Sequence, residues 1–149
     1  MDYFIVELTN QKKIAIPLEK IQEVITANYA DICPIPGVKN SLLGLISQRG
    51  ILLWLLDLSL LLQNVPSFSN RLSSSTILVT KLGKNNVGLI VKKLGEIKDF
   101  LQDNISQDNL EKSSSIPLLN EYLDSFIHNE KELLPILNLA NIQTYLNTN

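Results

Sequence analysis

The sequence repeats itself, and this repeat constrains the possible fold more than any other feature. When the chain is shifted by 73 positions, residues 14–24 fall on residues 87–97, and apolar positions fall mostly on apolar positions. A shift of 81 positions places the apolar run 53–58 on residues 134–139. With 149 residues the chain has the length of one domain. The repeat therefore predicts two similar units within one domain, with a junction between them.

The spacing of apolar residues is typical of short strands. Residues 4–8 alternate with a period of two, and a polar connection joins them to residues 14–16, which predicts a hairpin. The same signals predict further strands at 42–46, 51–56, 76–81, 87–91 and 133–137, with short helical turns at 58–62 and 138–146. A four-residue polar break, 47–50, separates two of these strands. About ten short strands predict an all-β fold, and the repeat favours two small barrels side by side.

The division of the domain follows from a polar stretch. Gln63–Ser75 contains Pro66 and three consecutive serines, and it is the predicted link between the units. The whole chain, 1–149, is then one domain with a first barrel mainly at about 1–66 and a second mainly at about 76–149. The repeat leaves open whether a strand or a helix is exchanged between the barrels.

The composition argues against several classes of function. The net charge of −2 is spread evenly over the two halves, so a basic face for nucleic acid is not expected. Cys33 and His128 are each the only residue of their kind, which argues against an internal disulfide and a metal site of the usual His/Cys type. The sequence has no pattern of a general acid, base and nucleophile and no glycine-rich phosphate loop. Neither an enzyme nor a cofactor is therefore expected.

The protein is expected in the cytoplasm. Its first residues lack the basic and apolar regions of a signal peptide. The most apolar segment, Ile51–Leu62, is shorter than the roughly 20 residues that a membrane-spanning helix needs, and Asp57 and Ser59 interrupt it. Direct insertion into a membrane is therefore not expected. Trp54, within this segment, is expected to lie in the core.

Several short motifs follow one another in a characteristic order. They are Lys-Ile-Gln-Glu-Val at 20–24, Ile-Pro-Gly at 35–37, a glycine-led strand ending in Arg-Gly at 44–50, a strand ending in Asp-Leu at 57–58, and Val-Gly-Leu-Ile-Val at 87–91. In this order and spacing the chain resembles the CheW family of chemotaxis coupling proteins, from about residue 3 to about residue 146. The family usually has Asn-Leu before the Arg-Gly turn, and this chain has Ser47-Gln48 there.

The resemblance implies a fold and a function. The fold would be two five-stranded SH3-like β-barrels packed around a shared hydrophobic core, with short helical turns. The function would be that of a non-enzymatic scaffold without a cofactor. It would join the cytoplasmic tip of a methyl-accepting chemoreceptor to the regulatory domain of a CheA-type histidine kinase, and it would be recruited to membrane-associated receptor arrays. A pathway for pilus-based motility is as consistent with the sequence as a flagellar one.

Arg49 is the first candidate for contact with a partner. On a tight turn between apolar strands its guanidinium is held rigidly and presents several donors to a partner carboxylate. The resemblance places receptor contact near Ile21 and Glu23, which share one face if that segment is a regular extended strand. Leu94 corresponds to Ile21 in the repeat and would flank the junction from the other side. Gly44 completes the candidate partner-binding residues, with backbone geometry or close packing as its expected contribution.

Each candidate has a plainer interpretation. Arg49 would then be a solvated turn residue, Ile21 a core residue and Glu23 a surface carboxylate. The function has an alternative as well, namely a stand-alone β-barrel module that binds peptides. The two units also differ in individual side chains, because the second carries Glu130 where the first carries Arg49. This difference predicts that the first barrel is specialised for partners and that the second supports it.

Overall fold

The fold is taken from a computed structural model, which describes residues 1–68, 73–106, 120–130 and 132–148. Eleven strands and two α-helices lie within these ranges. The strands are β1 (Asp2–Glu7), β2 (Lys13–Pro17), β3 (Ile21–Asn28), β4 (Leu42–Gln48), β5 (Ile51–Asp57), β6 (Ser74–Leu82), β7 (Asn85–Val91), β8 (Lys93–Asp99), β9 (Ile105–Ser106), β10 (Leu123–Asn129) and β11 (Glu132–Leu137). The helices are α1 (Leu58–Gln63) and α2 (Leu139–Asn147). The all-β prediction is confirmed, and so are the two short helices.

The strands form two sheets, each consistent with an SH3-like subdomain. The first sheet has the order β3-β6-β7-β5-β4 and is called the first barrel below. The second has the order β8-β1-β2-β11-β10-β9 and is called the second barrel. In the first barrel, β4 ends in the turn that carries Arg49. Each barrel therefore has five principal strands, and the second has the two-residue β9 in addition.

The two halves of the chain exchange their first hairpins. The hairpin β1–β2 belongs to the second barrel, where β2 runs parallel to β11, and the hairpin β6–β7 belongs to the first, where β7 runs parallel to β5. The barrels therefore do not coincide with the predicted halves 1–66 and 76–149. The first consists of the strands β3 to β7, and the second of β1 and β2 together with β8 to β11. The repeat could not reveal this, because identical strand patterns are compatible with pairing within or between the copies.

The repeat itself is exact in topology. A shift of 73 positions places β1, β2 and β3 on β6, β7 and β8. A shift of 81 positions places β4 on the same residues as β10. Under this correspondence the strand order of the first barrel becomes the order β8-β1-β2-β11-β10 of the second. The two barrels are thus related as two copies of one unit.

Three apolar clusters form the core, one inside each barrel and one between the barrels. The alternation along the strands explains this division. On β1, Phe4 and Val6 face the shared cluster while Tyr3 and Ile5 face the interior of the second barrel. Because both faces of such a strand are buried, its sequence is a nearly continuous apolar run rather than an alternating one. Each fully buried Leu or Ile stabilises the fold by about 1.5–3 kcal/mol.

Some local predictions need correction. The polar break between β4 and β5 is two residues long rather than four, since Gln48 and Ile51 are already paired. The strands β3 and β8 lie at sheet edges. β8 carries four charged residues and β3 contains a β-bulge, so neither shows a clear apolar alternation in the sequence. Much of the predicted polar segment Gln102–Ser115 lies outside the described residues. Within the described ranges, neither helix has the length and apolar character to cross a membrane.

Candidate partner-binding site

Arg49 and Gly50 form a tight turn between β4 and β5. Both residues have positive φ angles, 50° for Arg49 and 80° for Gly50, and a two-residue hairpin loop with positive φ at both positions is a type I′ turn. This turn matches the twist of the flanking strands and is therefore rigid. A left-handed conformation is unfavourable for an arginine by about 1–2 kcal/mol. The fold thus holds Arg49 in place at a local cost in energy.

The Arg49 guanidinium is paired with Glu23 of β3. Its Nη2 donates to Oε2 of Glu23 over 2.6 Å, and the two side chains are 72% and 38% exposed. Since β3 and β4 are the opposite edges of the first sheet, the ion pair connects edges that the curl of the sheet brings together. An ion pair this exposed adds less than about 1 kcal/mol to stability. Its charged groups are accessible to a partner.

Gly44 allows the chain beyond β3 to pack closely against β4. The chain beyond β3 pairs with β4 through mutual backbone hydrogen bonds of 2.9 Å between Cys33 and Leu45. A Cβ atom on Gly44 would lie 2.1 Å from the carbonyl oxygen of Cys33, and the φ of Gly44 is 143°. No other residue fits here without displacing the backbone. Gly44 therefore acts through close packing, and a role in partner contact stays a prediction.

A β-bulge separates Ile21 from Glu23. Ile21 is opposite Thr80 and Glu23 is opposite Val79, so one extra residue of β3 is inserted between the two pairs. Since adjacent residues of β6 point to opposite faces, Ile21 and Glu23 point to opposite faces as well. The expectation that they share a face is therefore wrong.

Ile21 and Leu94 do meet the same cluster. Both are partly buried and pack against the shared core between the barrels, Ile21 from β3 and Leu94 from β8. The structure thus places them at corresponding sites of the two barrels, as the repeat predicted. Their partial exposure leaves room for a partner at the junction, and that role stays a prediction.

Two exposed apolar residues beside the turn were missed by the sequence interpretation. Ile51 and Leu52 begin β5 and are 52% and 60% exposed. In the apolar run 51–56 they could not be told from the buried Leu53 and Leu55 that follow. The repeat contained a hint, because Glu132 stands at the position of Ile51 in the second unit. Together with Arg49 and Glu23, these two residues form what we call the turn surface.

The second barrel carries a different surface at the corresponding place. Glu130 replaces Arg49 with the same backbone conformation, φ 53°, and Glu96 replaces Glu23. Both line a groove together with Lys13, Lys98 and Glu132. Lys98 is paired with Glu96 over 3.3 Å. Among the described residues, the ion pair of Arg49 and Glu23 therefore has no counterpart in the second barrel, where both corresponding residues are acidic. The predicted specialisation of the first barrel for partners stays a prediction.

Asp57 anchors the far end of β5. Its carboxylate is fully buried and accepts hydrogen bonds from the backbone N–H of Leu60, 3.2 Å away, and from the N–H of Ser67, 2.9 Å away, as well as from the Ser67 hydroxyl. Burial raises the pKa of Asp57, and the hydrogen bonds from Ser67 and from the backbone oppose this rise. Asp57 is thus the N-cap of α1 and fixes the chain beyond it. Asn138 caps α2 in the same way.

We expect Asp57→Ala to destabilise the protein by about 3 kcal/mol, since it removes a helix cap and leaves the buried N–H of Ser67 without its acceptor. Asp57→Asn keeps a cap oxygen and should cost about half as much. Asn138→Ala, the matched control in α2, loses only an exposed cap and should cost about 1 kcal/mol. Urea unfolding of the three variants measures these differences. Equal losses for Asp57→Ala and Asn138→Ala would contradict the anchoring role.

The same carboxylate predicts a pH dependence. A folded-state pKa above the unfolded value means that the folded protein binds more protons, so the stability due to Asp57 falls as the pH rises from about 4 through the folded pKa. The difference in unfolding free energy between wild type and Asp57→Asn should therefore shrink over that range.

Other reactive side chains lie apart from the turn surface. His128 Nε2 is 2.7 Å from the Ser106 hydroxyl in the second barrel, and Cys33 is exposed on the first. Among the described residues, no three His, Cys, Asp or Glu side chains are grouped in a way that would hold a metal ion. Trp54, expected in the core, is only partly buried and also lines a groove.

Comparison with known proteins was made by sequence and by structure. The sequence matches the family described as CheW-like domain over residues 2–145. No curated protein sequence matches the chain. Among solved structures, the crystal structure of the scaffolding protein TtCheW from Thermoanaerobacter tengcongensis is similar, with a TM-score of 0.74 and 15% identity, over 91% of this chain and 87% of that one. At this identity the similarity shows a shared fold.

Proposed function

The chain belongs to the CheW-like family, and on that premise we propose that it is a non-enzymatic adaptor in a chemotaxis-type signalling array. It would couple the cytoplasmic tip of a methyl-accepting chemoreceptor to the regulatory domain of a CheA-type histidine kinase. It would work in the cytoplasm and be recruited to receptor arrays at the membrane. The proposal covers arrays for flagellar and for pilus-based motility.

The turn surface is the observation that carries this proposal. A rigid type I′ turn presents the Arg49 guanidinium beside the exposed Ile51 and Leu52. Arginine is enriched among interface hot spots, and a preorganised element loses little conformational entropy on binding. An exposed ion pair beside exposed apolar residues adds little to the stability of the fold, so binding a partner is its more plausible contribution.

The proposed contacts are divided between the two partners. Ile21 and Leu94 face the junction between the barrels, which favours a receptor helix that lies along the junction and inserts apolar side chains there. The turn surface lies on the first barrel alone, which favours the compact regulatory domain of the kinase. Binding one partner would then leave the other surface free, as an adaptor requires.

Reconstitution with purified components tests the proposal. We expect autophosphorylation of the kinase from the same cells to rise when receptor fragments and this protein are both added, and to stay basal when either is omitted. Co-purification from those cells should recover the same kinase and receptor. A matched control carries Leu53→Ala, a buried change that leaves the turn surface intact. Recovery of unrelated peptide motifs alone, with no effect on the kinase, would favour the stand-alone peptide-binding module instead.

A further inference from the structure

The last turn of α2 is held against the loop that precedes β4. The Lys39 ammonium donates to the carbonyl oxygen of Thr148 and lies 5.0 Å from the centre of the Tyr145 ring. The hydroxyls of Ser41 and Tyr145 are 2.7 Å apart, and Ser41 is buried. We call these four residues the helix clamp. A lysine at the end of a helix also interacts favourably with the helix dipole.

The helix clamp joins the two barrels. The helix α2 follows β11 of the second barrel, while Lys39 and Ser41 lead into β4 of the first. The carbonyl oxygen of Ser41 also accepts a hydrogen bond of 2.8 Å from the backbone N–H of Asp57. The clamped loop is therefore tied to both strands of the hairpin that carries Arg49 at its other end.

The residue that corresponds to Thr148 in the first unit is also bound by a lysine. Ser67 stands 81 positions before Thr148, and its carbonyl oxygen accepts a 3.0 Å hydrogen bond from the ammonium of Lys92. The two lysines are not related by the repeat, since Lys92 corresponds to Glu19. A lysine thus holds the chain after each helix, Lys39 from the loop before β4 and Lys92 from the position between β7 and β8.

The last turn of α2 is less buried than the first part of the helix. Leu139 and Ile142 bury the first part of the helix, whereas Tyr145 and Leu146 are only partly buried. A helix of nine residues is not stable by itself in water, so its last turn frays unless it is docked. Leu146 and Trp54 line the same groove of about 660 Å³, so undocking of the last turn would open that groove.

We propose that the last turn of α2 is a coupling element, whose docked state holds the β4–β5 hairpin in place and whose undocked state releases it and opens the Trp54 groove. Both ends of this coupling are physical contacts, the helix clamp at one end of the hairpin and the turn surface at the other. The link to a partner rests on the proposed function, whereas the link between α2 and the hairpin does not.

Trp54 is the only tryptophan and serves as a built-in probe. In a variant with Lys39→Met and Tyr145→Phe, which removes both polar contacts of the helix clamp, we expect iodide to quench Trp54 about twice as efficiently. Backbone amides of residues 42–48 and 145–148 should exchange with solvent about tenfold faster, the effect of losing one or two hydrogen bonds. Thr144→Ala, on the exposed face of the same helix, is the control and should change neither. Faster exchange in α2 with unchanged exchange in β4, or no change in either, would overturn the proposal.

A second experiment tests the coupling with a partner bound. If the states of α2 and the hairpin are coupled, binding of the kinase regulatory domain to wild type should slow amide exchange at 145–148, and the clamp variant should bind about threefold more weakly. Binding that leaves the exchange of α2 unchanged would overturn the coupling while the adaptor function stands. Absence of binding by wild type would instead overturn the proposed function, and the fluorescence and exchange results without a partner would still decide the coupling.

Discussion

Arg49→Glu is expected to abolish binding of the kinase regulatory domain while the protein stays folded. The change removes the donors of the turn surface and places a second carboxylate beside Glu23, which repels an acidic partner. Loss of an interface hot spot weakens binding by about 2–4 kcal/mol, or roughly 30- to 1,000-fold. The exposed ion pair itself is worth less than about 1 kcal/mol, so the melting temperature should fall by only a few degrees.

A charge-swapped double variant distinguishes the contribution of the ion pair to stability from the contact that Arg49 makes with a partner. The double variant Glu23→Arg and Arg49→Glu restores opposite charges at the same positions and should recover the stability of wild type. It should still fail to bind if the guanidinium on the turn makes the contact. Titration calorimetry with the purified partner and thermal unfolding give the two readouts. Full binding by the double variant, or a large fall in melting temperature with binding retained, would assign the pair a structural role alone.

Gly44→Ala is expected to produce the largest loss of stability. The added Cβ would meet the Cys33 carbonyl oxygen at 2.1 Å, and the neighbouring atoms are backbone rather than a flexible side chain. The pairing of Cys33 with Leu45 must then open, and we expect a loss of about 3 kcal/mol or more, which lowers the melting temperature by roughly 10 °C. Binding to partners should weaken as a consequence, because β4 leads into the turn that carries Arg49.

Gly50→Ala is the matched control for this prediction. Gly50 also has a positive φ, 80°, but a Cβ there would meet nothing within 4 Å. It should therefore cost only the conformational strain of about 1–2 kcal/mol. Circular dichroism melts of both variants measure the difference. If Gly44→Ala were no less stable than Gly50→Ala, the close approach to Cys33 would not matter for the fold.

The sequence predicted the fold wherever burial decides the pattern. Strands such as β1, β5 and β7 face a core on both sides, and their apolar runs were recognised directly. The edge strand β8 carries four charged residues, and a bulge shifts the pattern of the edge strand β3, so a period of two was not visible in either. Which hairpin pairs with which barrel was also beyond the sequence. Both copies offer the same strands, and the choice depends on tertiary packing.

The sequence predicted individual residues of the candidate site but not their arrangement in space. Arg-Gly between two apolar strands indicated the turn, and Glu23 was already a candidate. Their ion pair depends on the curl that brings the two edges of the sheet together, which no local pattern encodes. The bulge that turns Ile21 away from Glu23 is equally invisible, since one inserted residue leaves the composition of a strand unchanged.

The exchanged hairpins have a consequence for how such a chain could arise. One unit alone would contain a first hairpin that finds its parallel partner strand only in another copy, as β2 finds β11 and β7 finds β5. A single-unit ancestor would therefore have been a symmetric dimer held together by two swapped hairpins. Joining its genes end to end converts that dimer into one polypeptide with the same contacts. Once the two copies are covalently linked they are free to diverge, which a symmetric dimer forbids. An arginine in the turn of one barrel and a glutamate at the corresponding position of the other is the kind of asymmetry that only the fused form permits.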